Sequence, residues 1–282
     1  MARSVKVACL QTRPVPSITK AIVEARELAK DAIDSGAEFL FLPEYCGGLK
    51  SSSSIFSPPC ETEKNHEFLQ FACDMAKSQN IWIMVGSIAI TGIDNKYYNR
   101  GYIIDNYGNI SSKYSKIHLF DITLDEKTSY EESATVIGGG NATVVDTAHG
   151  KIGHTICYDL RFPQLYRSLS LEGAEILAVP AAFTKRTGEA HWHILNRARA
   201  IENGAYVVAP CAIGSVEGGG AAYGHSLIVD PWGSVIADGG EDRGIIVADI
   251  DLDRVAEARA RIPSLFNGKE FEINDDKIRV TA

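Results

Sequence analysis

A cysteine at the end of an apolar strand is the first residue of this sequence that invites a chemical reading. Lys151-Ile152-Gly153-His154-Thr155-Ile156 reads as a strand, and Cys157 follows it directly. The chain then turns through Tyr158-Asp159-Leu160-Arg161 into a helix-like segment from Phe162. A sharp bend there exposes the sulfur and aims the next backbone N–H, that of Tyr158, at a bound group. A free thiol has a pKa of roughly 8.5, so attack at neutral pH requires a neighbouring base or cation. The competing reading of Cys157 is a small buried hydrophobe, the ordinary fate of an unpaired cysteine.

Two other residues stand at comparable places. Phe39-Leu40-Phe41-Leu42 is a wholly apolar run stopped by Pro43, of the kind covered on both faces, and Glu44 follows at once. A carboxylate delivered at the end of a buried strand is a candidate base. Lys116 closes an expected hairpin of Tyr98–Ile104 and Ile110–Lys116, turning at Asn106-Tyr107-Gly108-Asn109. By spacing alone Lys116 is an ordinary solvated lysine.

The elements that must position these residues alternate strand and helix. A first strand spans Val5–Leu10, and apolar positions from Ile18 to Ile33 form a helical stripe ending at Gly36. Residues 47–60, with four successive serines from Ser51, read as a long loop that lids a pocket. A helix near Glu63–Ser78 and a strand at Ile81–Ile90 follow, then the hairpin and a loop from Asp121 to Gly140 that carries Glu131-Glu132. Thr143–Val145 and Lys151–Ile156 pair as a second hairpin. Beyond Cys157 the order repeats: helix Pro163–Glu172, strand Ile176–Pro180, helix Glu189–Asn203 and strand Tyr206–Ala209. His225–Val229 pairs with Ser234–Ala237, and Gly244–Asp249 and Leu252–Arg261 close the pattern before a mobile arm at roughly 263–282. Two mixed sheets face to face, each covered outside by helices, suit the doubly buried apolar strands.

Composition narrows the function. A chain of 282 residues with a formal charge of −8 lacks the basic surface that nucleic acid or an anionic membrane requires. Six cysteines, at 9, 46, 60, 73, 157 and 211, match no zinc or redox spacing and read as reduced thiols of a cytoplasmic protein. His191 and His193 are two apart on a helix, which points their rings away from each other, so no metal site is legible. No apolar run is long enough to span a membrane.

Taken together and in order, several tracts resemble the nitrilase superfamily of carbon–nitrogen hydrolases. They are Leu42-Pro43-Glu44, Lys116-Ile117-His118-Leu119-Phe120-Asp121, Cys157 to Pro163, Pro180-Ala181-Ala182-Phe183-Thr184 and Thr187-Gly188-Glu189-Ala190-His191-Trp192. Arg197 to Asn203, Tyr223-Gly224-His225-Ser226 and Asp230-Pro231-Trp232-Gly233 complete the set, which covers almost the whole chain as one carbon–nitrogen hydrolase domain over 1–282. The likeness is greatest to the ω-amidase and deaminated-glutathione amidase branch, whose members usually carry glutamate where this chain has His193. The resemblance implies a four-layer αββα sandwich, no cofactor, and homodimers or larger assemblies.

It also implies roles. Cys157 would attack an amide carbonyl to form a thioester, Glu44 would cycle between base and acid, and Lys116 with the Tyr158 N–H would hold the oxyanion. Glu132, from its Glu-Ser context, resembles the family's additional glutamate, with Glu131 as the alternative. Arg161 either clamps a substrate carboxylate or bridges to Asp159 or a turn carbonyl. Phe183 and Thr187 are candidates for the pocket wall. The expected substrate is a small carboxylate-bearing ω-amide of the 2-oxoglutaramate or deaminated-glutathione type. A nitrile, an N-carbamoyl amino acid, or a silent scaffold of the same fold are the alternatives. A papain-like site lacks its histidine context, Ser17-Ile18-Thr19-Lys20 lacks the companions of a Ser–Lys hydrolase, and the glycine runs at 138–140 and 218–220 lack a dinucleotide-fold setting.

Overall fold

The short apolar runs become the centres of two sheets. A computed structural model describes residues 3–52, 55–126 and 128–272; Ser53, Ser54 and positions 273–282 of the expected arm lie outside the described residues. In the first sheet the order is Gly244–Asp251, Ser4–Gln11, Phe39–Phe41, Trp82–Thr91, Tyr97–Ile104 and Ile110–Ser115. Ser4–Gln11, Phe39–Phe41 and Trp82–Thr91 run parallel, and antiparallel strands flank them. The second sheet repeats the plan. Its order is Val144–Thr147, Gly150–His154, Ile176–Ala178, Tyr206–Ala209, Leu227–Val229 and Val235–Asp238, with the second, third and fourth parallel.

Side-chain alternation decides which face goes where. Phe39 and Phe41 pack with Ile152, Ile176 and Val208 of the opposite sheet. Leu40, between them, packs instead with Leu28 of α1 (Ile18–Asp34) and Phe68 of α2 (Glu67–Gln79). Across the sandwich Leu177 and Val207 meet Leu169 of α3 (Pro163–Leu171) and Trp192 of α4 (Lys185–Asn203). Helix α5 (Asp253–Arg261) follows the last strand. The result is helix, sheet, sheet, helix, as the resemblance implies. Each fully buried Phe or Leu contributes about 1.5–3 kcal/mol of the burial that holds these layers.

Several elements differ from the sequence reading, among them an antiparallel pair, Ile213–Ser215 with Ala221–Tyr223, where none was expected. The expected loop from Asp121 contains an antiparallel hairpin, Asp121–Asp125 with Thr128–Glu131, followed by a 3-10 turn at Glu132–Ala134. Asp121–Asp125 does alternate, with Ile122 and Leu124 on the half-buried face, a short signal that the reading of this segment as a loop passed over. The 47–60 segment carries a two-residue ladder pairing Ser51 with Phe56, and Cys60–Glu61 joins the first sheet. Helix α4 starts at Lys185 rather than Glu189, because its first turn contains Gly188, a residue that weakens the helical pattern. A Cβ there would lie 2.3 Å from the Tyr223 ring, so glycine is what lets that ring close on the helix.

Candidate active site

Glu44, Lys116 and Cys157 each arrive from a strand end and converge on one narrow pocket, together with Phe56, Phe120, Tyr158, Ala182, Phe183, Thr184 and Thr187. Glu44 lies just past Phe41 of a parallel strand of the first sheet, and Cys157 just past His154 of a parallel strand of the second. Gly86 makes the first placement feasible. A Cβ on it would fall 2.0 Å from the Leu42 carbonyl oxygen and 2.5 Å from both the Pro43 oxygen and Pro180 Cβ. The segment leading to Glu44 therefore passes directly over bare backbone.

Cys157 opens a 3-10 turn, Cys157–Arg161, with φ of +50°. That left-handed conformation costs a non-glycine residue about 1–3 kcal/mol, so surrounding bonds must hold it. They do so on both sides. Cys157 N donates to the Pro180 carbonyl at 2.9 Å. Asp159 accepts from Ile156 N at 2.9 Å, Tyr114 Oη at 2.7 Å and His118 N at 3.0 Å, tying the nucleophile turn to the segment that carries Lys116.

The charges are packed tightly. Lys116, only 2% exposed, directs its ammonium to Glu44 Oε1 at 2.9 Å and to Glu132 Oε2 and Oε1 at 2.8 and 3.1 Å. Glu132, and not the exposed Glu131, is the carboxylate brought to the lysine. It also accepts from Phe120 N at 2.6 Å and Tyr45 Oη at 3.2 Å. Glu44 Oε2 accepts from Ala182 N at 2.8 Å. Asn99 donates to both carboxylates, at 2.9 Å to Glu44 and 3.3 Å to Glu132.

Burial alone would favour a neutral amine at Lys116, but the charges of Glu132, Glu44 and Cys157 overcome it and hold its pKa well above the usual lysine value. For Cys157 burial and the adjacent Glu44 charge, with a hydrogen bond to Glu44, push the thiol well up against the opposing pull of Lys116. The geometry thus sets the buried Cys157 thiol beside Glu44, with the Lys116 ammonium bonded to the same carboxyl group. Cys46 and Cys211, also buried, are pushed up to about 12 by burial and lack the ammonium that Cys157 has beside it.

Arg161 does not itself line the pocket but stands against Tyr158 and Phe183, which do. Its guanidinium lies 5.4 Å from the Phe183 ring centre and 5.8 Å from that of Tyr158, with both terminal nitrogens 3.3 Å from His191 Nδ1. The bridge to Asp159 does not form: Asp159 is filled by the groups above, and the Leu160 carbonyl is taken by Arg199 at 2.8 and 3.0 Å. Thr187 Oγ1 lies 2.7 Å from Thr184 Oγ1, and Phe183 packs on Trp192 at 5.0 Å. His193 is not on the pocket wall; it pairs with Asp238 at 3.0 Å. Asn99, Tyr45 and the pivotal use of Asp159 went unread in the sequence. For Asn99 a signal existed: strand alternation puts it on the buried face with Tyr97.

Residues 6–260 match the carbon–nitrogen hydrolase family. The deaminated glutathione amidase of Synechocystis sp. is 39% identical over 263 residues, 92% of this chain and 96% of that protein. Omega-amidase NIT2-B of Xenopus laevis is 37% identical, covering 85% and 86%. Among solved structures, the NitFhit protein of C. elegans superposes with a TM-score of 0.85 at 32% identity, over 94% of this chain and 65% of that longer one. Nit3 of Saccharomyces cerevisiae, a member of the nitrilase superfamily, gives 0.81 at 30% identity over 92% and 94%. Strand-end carboxylate, lysine and cysteine, the paired mixed sheets and these matches along nearly the full chain lead to one assignment: the chain belongs to the carbon–nitrogen hydrolase family.

Proposed function

We propose that this protein is an amidase that cleaves the C–N bond of a small, carboxylate-bearing linear amide through a thioester on Cys157. The observation that carries the reading is the meeting of a thiol, a carboxylate and an ammonium in one buried pocket. Cys157 Sγ attacks the carbonyl carbon while Glu44 takes the thiol proton. Lys116 Nζ and the Tyr158 N–H stabilise the oxyanion. All three donors of the resting ammonium are engaged by carboxylate oxygens. Protonation of Glu44 weakens its hold on Nζ as the oxyanion forms, freeing one donor for it. Collapse breaks the C–N bond, and Glu44 returns the proton to the departing nitrogen. Glu44 then deprotonates water, which attacks the thioester and releases the acid and the thiol. Glu132 keeps Lys116 charged and in place throughout.

Arg161, with its guanidinium unclaimed by any carboxylate among the described residues, suits the distal carboxylate of the substrate, and Phe183 and Thr187 shape the wall. The relatives named deaminated glutathione amidase and omega-amidase support an acid-terminated amide. A second cleft adjoins the pocket through Phe56, Ala182 and Thr184 and reaches Gly218–Gly220, giving a larger amine leaving group room. That favours the deaminated-glutathione type over 2-oxoglutaramate.

The same reading carries a single domain, a cytoplasmic setting and a homodimer or larger assembly. Six unpaired cysteines suit a reducing compartment, and no helix among the described residues is long and apolar enough to cross a membrane. Exposed Ile194 and Ile201, seven apart on α4, with exposed Trp232 next to Gly233, against which Ile201 packs, supply an apolar face. The test is release of ammonia or amine from 2-oxoglutaramate, deaminated glutathione, simple nitriles and N-carbamoyl amino acids. Turnover of the carboxyamides, lost in Cys157→Ala, is expected. Equal failure on both carboxyamides overturns the substrate class, and full activity in Cys157→Ala overturns the nucleophile.

A further inference from the structure

Away from the amide pocket, three potential metal ligands converge from separate parts of the second sheet and its helix layer. His193 projects from α4, His225 precedes the strand Leu227–Val229, and Asp238 ends the strand Val235–Asp238. Asp238 Oδ2 lies 3.0 Å from His193 Nε2, and Oδ1 lies 2.9 Å from His225 Nδ1. One ligand atom from each residue falls within 4.8 Å of the others. The imidazole rings meet nearly edge to face, with centres 5.1 Å apart at 70°.

We propose that His193, His225 and Asp238 bind a zinc-like divalent transition-metal ion at a site separate from the catalytic pocket. Two imidazoles and one carboxylate match the donor preference of zinc and its neighbours, whose bonds to such atoms are roughly 2.0–2.2 Å. Ligands around a tetrahedral ion of that size sit roughly 3–3.5 Å apart. The two contacts to Asp238, one on each oxygen, are already near that spacing, and the third pair of ligand atoms lies within 4.8 Å, so the side chains must still draw together around an ion. With one carboxylate as the sole oxygen donor from these side chains, the set is a poor match for magnesium or calcium, which take oxygen-rich shells.

The scaffold behind the ligands is fixed. His225 adopts φ of +50°, its N–H donates to the Gly240 carbonyl at 2.8 Å, and its carbonyl accepts from Trp192 Nε1 at 2.7 Å. The Tyr223 ring stacks on the His225 ring at 4.7 Å. Asp238 Oδ1 also accepts from Gly240 N at 2.9 Å, which orients the carboxylate as an outer partner orients a metal ligand. The side chains of His193, His225 and Asp238 are 34%, 20% and 35% exposed, so an ion has an entry path and water has room for a fourth position. Trp192, bonded to the His225 carbonyl, packs on Phe183 of the amide pocket, so the two sites share a wall without sharing a ligand.

The experiment titrates the chelator-treated full chain with zinc by calorimetry and with cobalt(II) by absorption. Cobalt reports thiolate ligation by a charge-transfer band, which separates this site from the six cysteines. One equivalent per chain is expected, with a cobalt spectrum of nitrogen and oxygen ligands and a higher melting temperature in zinc. His193→Gln and Asp238→Asn, with circular dichroism showing an intact fold, are each expected to weaken binding by at least ~10–100-fold. The absence of saturable binding, a thiolate band, or undiminished affinity in both variants overturns the site.

Discussion

Lys116 is shared by two carboxylates, and Asn99 spans the same pair, so geometry at the site depends on groups that never meet the substrate. Glu44→Gln keeps the shape but removes the proton acceptor; kcat is expected to fall by ~10²–10⁴, the usual worth of a positioned base. Asn99→Ser loses bonds to charged groups, each about 1.5–3 kcal/mol, so kcat should drop roughly ten- to a hundredfold with KM little changed. Steady-state kinetics separate the two cases from a general loss of fold, and an unchanged kcat in Asn99→Ser would mean the carboxylates hold themselves. Glu44 and Cys157 were legible because each follows directly on an apolar strand, whereas Lys116, an ordinary lysine by spacing, was singled out only by the resemblance of its tract. Tyr45 was not legible, because its partner Glu132 lies 87 positions away, and Asn99 offered only its place on the buried face of its strand, since its partners lie 55 and 33 positions away. Asp159 was read only as one alternative partner for Arg161, and its oxygens serve the turn and the His118 segment instead.

At the scale of elements, the close pass of the Leu42–Pro43 segment over Gly86 sets where Glu44 emerges. Gly86→Ala forces atoms into occupied space and is expected to cost at least ~1–3 kcal/mol. Because the obstructed segment leads to Glu44, turnover should fall further than stability alone explains. Thermal melts alongside kcat check this, and a variant with native melting temperature and full activity would contradict it. The central strands and five helices were readable since period-2 and period-3.6 apolar patterns survive burial on one or two faces. The hairpin after Asp121 was not, because its strands are only five and four residues long and no face of them is fully buried, so the alternation of Ile122 and Leu124 is brief. The first turn of α4 was hidden by Gly188, whose presence answers to Tyr223 rather than to the helix.

For the molecule as a whole, two buried histidines link stability to pH. His154 has no hydrogen-bond partner at either ring nitrogen, and burial lowers its pKa to about 3; burial lowers that of His66 to about 4. The unfolded chain protonates them near 6.5, the folded chain only below those values, so the unfolded state binds more protons in between. Stability is therefore fully present above about pH 6.5 and falls as pH drops below it. His154→Leu should flatten that acid slope while leaving stability near neutrality within about 1 kcal/mol, as urea unfolding at the two pH values would show. The apolar face of α4 belongs to the same scale. If the proposed dimer forms through it, Ile194→Asp and Ile201→Asp are expected to give folded monomers in sedimentation, and a mass unchanged from that of the unsubstituted protein would contradict this face as an interface. The claim beneath all of this is covalent: during turnover the acyl group rests on Cys157. Peptide mass spectrometry of enzyme quenched in acid while hydrolysing its best amide tests it most directly. The account predicts an acyl adduct on the Cys157 peptide that hydroxylamine removes; an adduct on any other residue, or turnover by enzyme that never carries one, contradicts it.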